Sequence, residues 1–371
     1  MRRLILAGAG HAHARVLLEL ALRPVTDVEV ILVSPVAQAP YSGMVPGWMA
    51  GHYRWEECCV DFERLCERAG ARLYVSSLTG IDVMRSQVVL DDAEQLSFDW
   101  LSLDIGSTLQ PPASKRLDIL PMRPLATLNT RWNALLERVA RLGNGSRFRV
   151  LMAGGGAAGV ESVLAAWKGL RQAAPTVNFT MTLATQGSKI VPAMAAGASH
   201  RLERHLSRRG IAVVRNFSAS HIDGDAVMAA DGRRLHADVA LWATGAQAHA
   251  WPARSGLPVD EHGFIRIDRC LRVIGIANIF ASGDCASWQP PLPKAGVFAV
   301  RMGPVLAHNL RALIQGTALR SYHPQRRHLV LLGTCSRHAV ASWGPLSCEG
   351  DWVWDWKERI DRRFLARYNS T

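Results

Sequence analysis

The chain has 371 residues, 49% of them hydrophobic and 20% charged, with a formal net charge of +12. That length exceeds one small domain and suits two or three. No apolar run reaches the 18 or so residues of a membrane-spanning helix. The 43 Lys and Arg residues are spread along the chain, which argues against a nucleic-acid stripe and leaves phosphorylated cofactors or a membrane face as anionic partners. The seven cysteines form no C-x-x-C pair and no compact disulfide framework, so a reducing cytoplasm is the expected compartment.

Met1-Arg2-Arg3 ahead of Leu4-Ile5-Leu6 imitates a signal peptide, but glycines end the run, and His11, His13 and Arg15 interrupt the next segment. A buried first strand over residues 2–7 explains it better. A glycine turn comes next, then a helix over residues 15–22. Gly8 and Gly10 fill the first two positions of G-x-G-x-x-G, and His13 stands at the third. His11 and His13 suit lining a cofactor or capping backbone better than binding a metal, and no metal site is expected. Residues 28–33 form a second strand ending at Ser34, where an acidic residue usually binds a ribose hydroxyl. The loop over residues 39–47 has no cysteine pair, and the vicinal Cys58-Cys59 makes a poor reversible disulfide. Residues 60–69 read as helix and 72–76 as strand. Residues 81–90 and 95–103 read as a hairpin region leading to Asp104-Ile105-Gly106-Ser107.

Pro111 and Pro112 open a linker, and a helix over residues 125–142 carries Leu128, Trp132, Leu135, Leu136 and Val139 on one face. The strongest motif lies just beyond it. An apolar run, Val150 to Ala153, leads into Gly154, Gly156 and Gly159, and then into an apolar helix. The first glycine makes a tight turn, the second admits a pyrophosphate, and the third lets helix and strand pack closely. The helix N-terminus then offers unpaired N–H groups to phosphate. The next strand, residues 179–184, ends at Thr185, which with Lys189 decides neither NAD nor NADP. A strand over residues 239–243 leads to Thr244 and Gly245. Another ends in Gly283-Asp284, placing a carboxylate at the strand end where open α/β sheets bind ligands. Residues 293–297 start a helix running to about residue 313, and residues 329–332 and 340–343 form a last strand pair. In the tail, Trp352, Trp356, Ile360, Phe364 and Tyr368 make an i, i+4 row with arginines mostly off it. Docking on the body or a second subunit, and contact with a membrane interface, both fit that row.

The order of glycine turn, Asp104-Ile105-Gly106-Ser107, second turn with Gly159-Val160-Glu161, Ala243-Thr244-Gly245 and Ala281-Ser282-Gly283-Asp284 resembles the pyridine nucleotide-disulfide oxidoreductase superfamily. Without a redox disulfide, the chain is similar to the type II NADH dehydrogenase branch. More narrowly it resembles the flavoprotein module found N-terminal to selenophosphate synthase. That likeness is carried by His11-Ala12-His13, Pro40-Tyr41-Ser42-Gly43-Met44, the residues 292–298, and the Trp-rich tail with Ile360-Asp361-Arg362-Arg363-Phe364. The chain ends at Thr371, so no synthase domain is expected with it.

The resemblance implies an α/β chain with two Rossmann-like, doubly wound, three-layer dinucleotide-binding domains and a small C-terminal α+β segment. The expected divisions are 1–110 and 249–322 for FAD, 111–248 for NAD(P)H, and 323–371 for the last strands and helix. It implies FAD on Gly8, Gly10, His11, Ser34, Gly106, Ser107, Gly283 and Asp284, with Ala295 and Gly296 opening a helix toward the flavin pyrimidine, where the dipole favours negative charge. NAD(P)H would lie on Gly154, Gly156, Gly159, Thr244 and Gly245. Glu161 and Lys294 are the candidate catalytic side chains. Glu161 also fits a first-turn acid favoured by the helix dipole. The expected reaction takes hydride from NAD(P)H and passes electrons to an acceptor, with a quinone favoured, in a cytoplasmic protein, with peripheral contact of the tail at the inner membrane face left open beside docking on protein. Two alternatives stay open: sulfide or selenium chemistry using Cys285 or Cys335, and a non-catalytic redox partner of selenophosphate synthase.

Overall fold

The computed structural model describes residues 1–370. Its frame is two five-stranded parallel sheets built alike. In the first, the order is Ile279–Ala281, Trp100–Leu103, Arg2–Ala7, Val28–Ser34, Arg72–Val75. Leu4 to Ala7 and Ile31 to Leu32 are fully buried, as a parallel sheet covered on both faces requires. In the second, the order is Asp118–Pro121, Val239–Trp242, Arg147–Ala153, Asn178–Ala184, Ala212–Val214. Each central strand feeds a glycine turn and a helix, His11–Leu22 or Ala157–Ala173. Each outer strand leads into an antiparallel meander, Leu78–Ser97 or Ala219–His236, before the chain returns beside the centre.

Two close contacts set the helices. A Cβ on Gly303 would lie 2.8 Å from Arg15 Cβ, so the helix Gly296–Gln315 rests tightly on His11–Leu22. A Cβ on Gly169 would lie 2.3 Å from the Met49 carbonyl, which lets the short helix Val45–Met49 sit on Ala157–Ala173. No described helix is long and apolar enough to cross a membrane.

Several local expectations change. Trp100–Leu103 leaves the hairpin and joins the first sheet in parallel with Arg2–Ala7. Its Leu101 and Leu103 are buried on one face and Ser102 on the other, which a two-strand hairpin could not cover. The helix read over residues 60–69 starts at Phe62, because Asp61 accepts the N–H of Arg64 and caps it. The last strand pair is a three-stranded sheet, Leu329–Gly333, Ala339–Trp343 and Leu346–Gly350. The tail helix, Asp351–Asn369, splits its aromatic row. Phe364 and Tyr368 are buried, whereas Trp352, Trp356 and Ile360 face solvent.

Candidate active site

The first glycines of the two turns are packed alike. A Cβ on Gly8 would lie 2.4 Å from the Asp104 carbonyl oxygen, and one on Gly154 would lie 2.3 Å from the Ala243 carbonyl oxygen. Both glycines have positive φ. A Cβ on Gly159 would be 1.9 Å from the Gly154 carbonyl oxygen. His13 replaces that third glycine and is fully buried, with Nδ1 2.7 Å from the Gly8 carbonyl and Nε2 2.8 Å from Ser102 Oγ. Burial lowers its pKa to about 4, so it works as a neutral brace.

Around the first turn, the His11 ring lies beside Tyr41 and Phe364, and its buried Nε2 has no partner among the described residues. Ser34 spends its hydroxyl locally, donating to the Val36 carbonyl at 2.8 Å. Asp284 forms an ion pair with Arg123 and lies 3.4 Å from Ser107 Oγ. Gly106 and Gly283 both take positive φ, and Gly245 does so in the second half, one residue after Thr244. Ala295 caps the helix that Gly296 begins, and a Cβ on Gly296 would approach Ser42 Oγ at 3.3 Å. Lys294 turns away from the helix start: its Nζ donates to the Ala286 carbonyl at 2.7 Å and sits 3.6 Å from the Phe264 ring centre. Burial lowers its pKa against the pull of Cys285, Asp284 and Asp260.

Glu161 belongs to a second cluster. It is buried, and its Oε1 accepts the Gly333 N–H at 2.7 Å. Burial raises its pKa to about 7, against the opposing effects of Lys357 and that N–H. Lys357 and Asp361, one turn apart on the tail helix, pair at 2.7 Å in the interior. Burial works against the Lys357 ammonium, but Glu161 and Asp361 outweigh it and keep the group charged. Lys357 also donates to the Gly43 carbonyl. Tyr41 stacks on Phe364 at 4.2 Å, which ties the loop to the tail. A narrow cleft leads to Glu161 and Lys357 past His52, Tyr53, Cys335 and Trp354. The indole Nε1 of Trp354 is buried without a partner among the described residues.

The residues that the structure adds to the candidate site residues are Asp104, Arg123, Lys357, Asp361 and Trp354, of which Asp104 and Asp361 stood in motifs without a site role. Lys357 and Asp361 carried one usable signal, an i, i+4 opposite-charge pair. Nothing in sequence marked it as internal. Cys285 is buried, with its thiol near the Leu103 and Ser282 carbonyls, and burial raises its pKa to about 12. Cys335 lines the cleft, but burial raises its pKa too, against the opposing effect of Arg209.

A pyridine nucleotide-disulphide oxidoreductase family model matches residues 2–309. The chain belongs to that family. It is similar to the NADH dehydrogenase-like protein YutJ of Bacillus subtilis, 23% identical over 91% of this chain and 91% of that one. It is also 24% identical to the type II NADH:quinone oxidoreductase of Haemophilus influenzae, over 48% of this chain and 43% of that protein. Among solved structures, the sulfide:quinone oxidoreductase of Aquifex aeolicus aligns with a TM-score of 0.80 at 17% identity, covering 100% of this chain and 92% of that one. NDH2 of Plasmodium falciparum in complex with NADH aligns with a TM-score of 0.79 at 14% identity, covering 98% and 97%.

The family member is an NAD(P)H dehydrogenase-type oxidoreductase that uses FAD and a nicotinamide nucleotide. The residues fit the flavin. The first turn has two glycines whose missing side chains let Asp104 close on the turn, and His11 Nε2 there, like Ser282 Oγ at the end of Ile279–Ala281, is buried without a partner among the described residues. In the second turn nothing lies within 4 Å of a Cβ on Gly156, so the helix N-terminus is open to a diphosphate.

Proposed function

We propose that this oxidoreductase passes its electrons to a quinone, whose head group meets the mouth of the narrow cleft beneath the tail helix. The observation that carries this is the pairing of a buried, unpartnered indole N–H on Trp354 with a buried acid and a buried cation, Glu161 and Lys357, along one aromatic-walled cleft. A quinone needs an apolar slot, a donor for its carbonyl oxygen, and proton supply as it gains electrons. Bound FAD supplies the redox chemistry, accepting hydride and handing electrons on. Gly154, Gly156, Gly159, Thr244 and Gly245 would hold the nicotinamide nucleotide. Gly8, Gly10, His11, Gly106, Ser107, Gly283, Asp284, Ala295 and Gly296 would hold FAD, with Lys294 fixing the loop ahead of that helix. The Lys357 ammonium favours developing negative charge on the acceptor oxygen, and Glu161, poised near neutrality, exchanges a proton with it.

The exposed row Trp352, Trp356 and Ile360, with Trp343 and Leu346 nearby in sequence, supports docking on a membrane face where quinones reside. A non-catalytic partnership with selenophosphate synthase is the competing reading. Rapid mixing separates them. In the Glu161→Gln variant, flavin reduction by NADH or NADPH stays within about twofold, whereas re-oxidation by a short-chain quinone slows by about tenfold or more. Equal re-oxidation rates in wild type and variant would remove Glu161 from the acceptor site. No reduction of wild type by either nucleotide would favour the partner role.

A further inference from the structure

The two halves differ at one position that decides how each cradle meets a diphosphate. Asp104 and Ala243 are equivalents. Each N–H donates to the last residue of the central strand, Asp104 to Ala7 and Ala243 to Ala153, both at 2.8 Å. Each carbonyl crowds the first glycine of its turn. Ala243 sends nothing into the helix N-terminus. Asp104 sends a carboxyl group: Oδ2 accepts the N–H groups of Ala12 at 2.8 Å and His13 at 3.2 Å. A Cβ on Gly10 would lie 2.1 Å from that oxygen, whereas a Cβ on Gly156 meets open space. The first helix terminus is therefore already held by an acid at the place where the flavin's diphosphate must bind. His11, the first residue of that helix, also keeps a buried Nε2 without a partner among the described residues.

A carboxylate and a diphosphate cannot share one helix terminus cheaply, because like charges in a dry site repel strongly. We propose that FAD binds with a proton on Asp104, the acid donating its O–H to the diphosphate. The proton comes from solvent and goes to Oδ1, since Oδ2 stays engaged by the two N–H groups. No bond other than that O–H forms or breaks.

The surroundings permit this. Asp104 is 3% exposed, and burial raises its pKa to about 7, with the two N–H groups opposing and Asp284 adding to the rise. From the first helix, His13 donates its N–H to it, and burial lowers the rings of His11 and His13 to about 4, so both stay neutral. From the turn after Ile279–Ala281 come Asp284, itself paired with Arg123, and the Cys285 thiol, held protonated by burial. Lys294, near Cys285 and Asp284, is occupied with the Ala286 carbonyl. No cation in this set approaches Asp104 to neutralise its charge, which leaves the proton. A bound diphosphate raises the acid further, so the complex holds a proton that the free protein has lost above neutrality.

The inference rests on FAD occupying the first cradle, and the test keeps the two apart. The full chain, stripped of flavin, is titrated with FAD between about pH 6 and 9, following flavin fluorescence, and by calorimetry at pH 8 in two buffers of different ionisation heat. The expected result is a dissociation constant that rises about fivefold from pH 7 to 8 and about ninefold more from pH 8 to 9, with uptake of most of one proton at pH 8. Asp104→Asn takes up none, has a flat profile, and binds FAD more tightly than wild type at pH 9. Glu161→Gln, whose acid also titrates near 7 but lies in the other cluster, keeps the wild-type slope. FAD binding by wild type without proton uptake at pH 8, or uptake retained in Asp104→Asn, overturns the proposal. Should the asparagine variant not fold, the wild-type uptake decides alone. Failure to bind FAD at any pH would instead remove the flavin from this cradle.

Discussion

At the scale of single residues, the glycines of the second turn make the firmest claim. Gly159→Ala drives a methyl to 1.9 Å from the Gly154 carbonyl, so the helix must shift off its strand and the phosphate N–H groups move with it. We expect nicotinamide nucleotide affinity to fall at least about tenfold, a loss of about 1.4 kcal/mol, with flavin content unchanged. Equilibrium titration with both nucleotides and the visible flavin absorbance check the two halves of that statement. Glu161 sets a pH dependence. Its pKa in the folded chain is raised to about 7, so the acid is neutral below that pH and a carboxylate above it. Quinone-dependent re-oxidation of wild type should therefore slow as pH rises through about 7, and Glu161→Gln should show a slower rate without that inflection. Gly154 and Gly159 were legible in sequence because a Cβ at either would run into a backbone carbonyl, at 2.3 and 1.9 Å, whereas Gly156 was legible only by its spacing. Asp104 was not, although it stands in a recognised motif, because only the fold brings it over a helix 92 residues earlier. Ser34 looked like a ribose ligand by position, but its hydroxyl is turned into its own loop.

At the scale of elements, the tail helix divides into two faces with different work. Val353, Trp354, Lys357, Asp361, Phe364, Leu365 and Tyr368 are buried, and Trp352, Trp356 and Ile360 are not. Phe364→Ala removes the ring stacked on Tyr41 and should cost about 3–5 kcal/mol of stability, read from chemical denaturation. Replacing Trp352, Trp356 and Ile360 together by Ser should leave stability within about 1 kcal/mol yet abolish co-sedimentation with anionic vesicles. Vesicle binding that survives would assign the row another task. The i, i+4 spacing in sequence gave the helix and its aromatic row. It could not tell which residues of the row turn inward, because Phe364 and Tyr368 meet the protein body only where the helix crosses the loop around Tyr41. Breaking the Lys357–Asp361 pair on one side leaves an unpaired buried charge, a loss of about 3–5 kcal/mol.

At the scale of the whole molecule, one plan is used twice. A central strand, a glycine turn, a helix, two outer strands, a meander and a return strand recur in the same sheet order. The sequence showed both turns and the strands that feed them, since buried parallel strands read as short apolar runs. It misassigned Trp100–Leu103 because a short strand beside two meander strands carries no local mark of which sheet it joins. The cleft at Glu161 escaped for a similar reason, as its lining is drawn from residues 46–53, 161–165, 333–335 and 354–357, which only the fold brings together. The central claim is that one cradle holds FAD and the other the nucleotide that reduces it. Anaerobic titration of the purified yellow protein with NADH and with NADPH, and then with a quinone, tests this most directly. The flavin absorbance should bleach with about one equivalent of at least one nucleotide and return on adding quinone. Flavin that stays oxidised with both nucleotides in excess would contradict the claim.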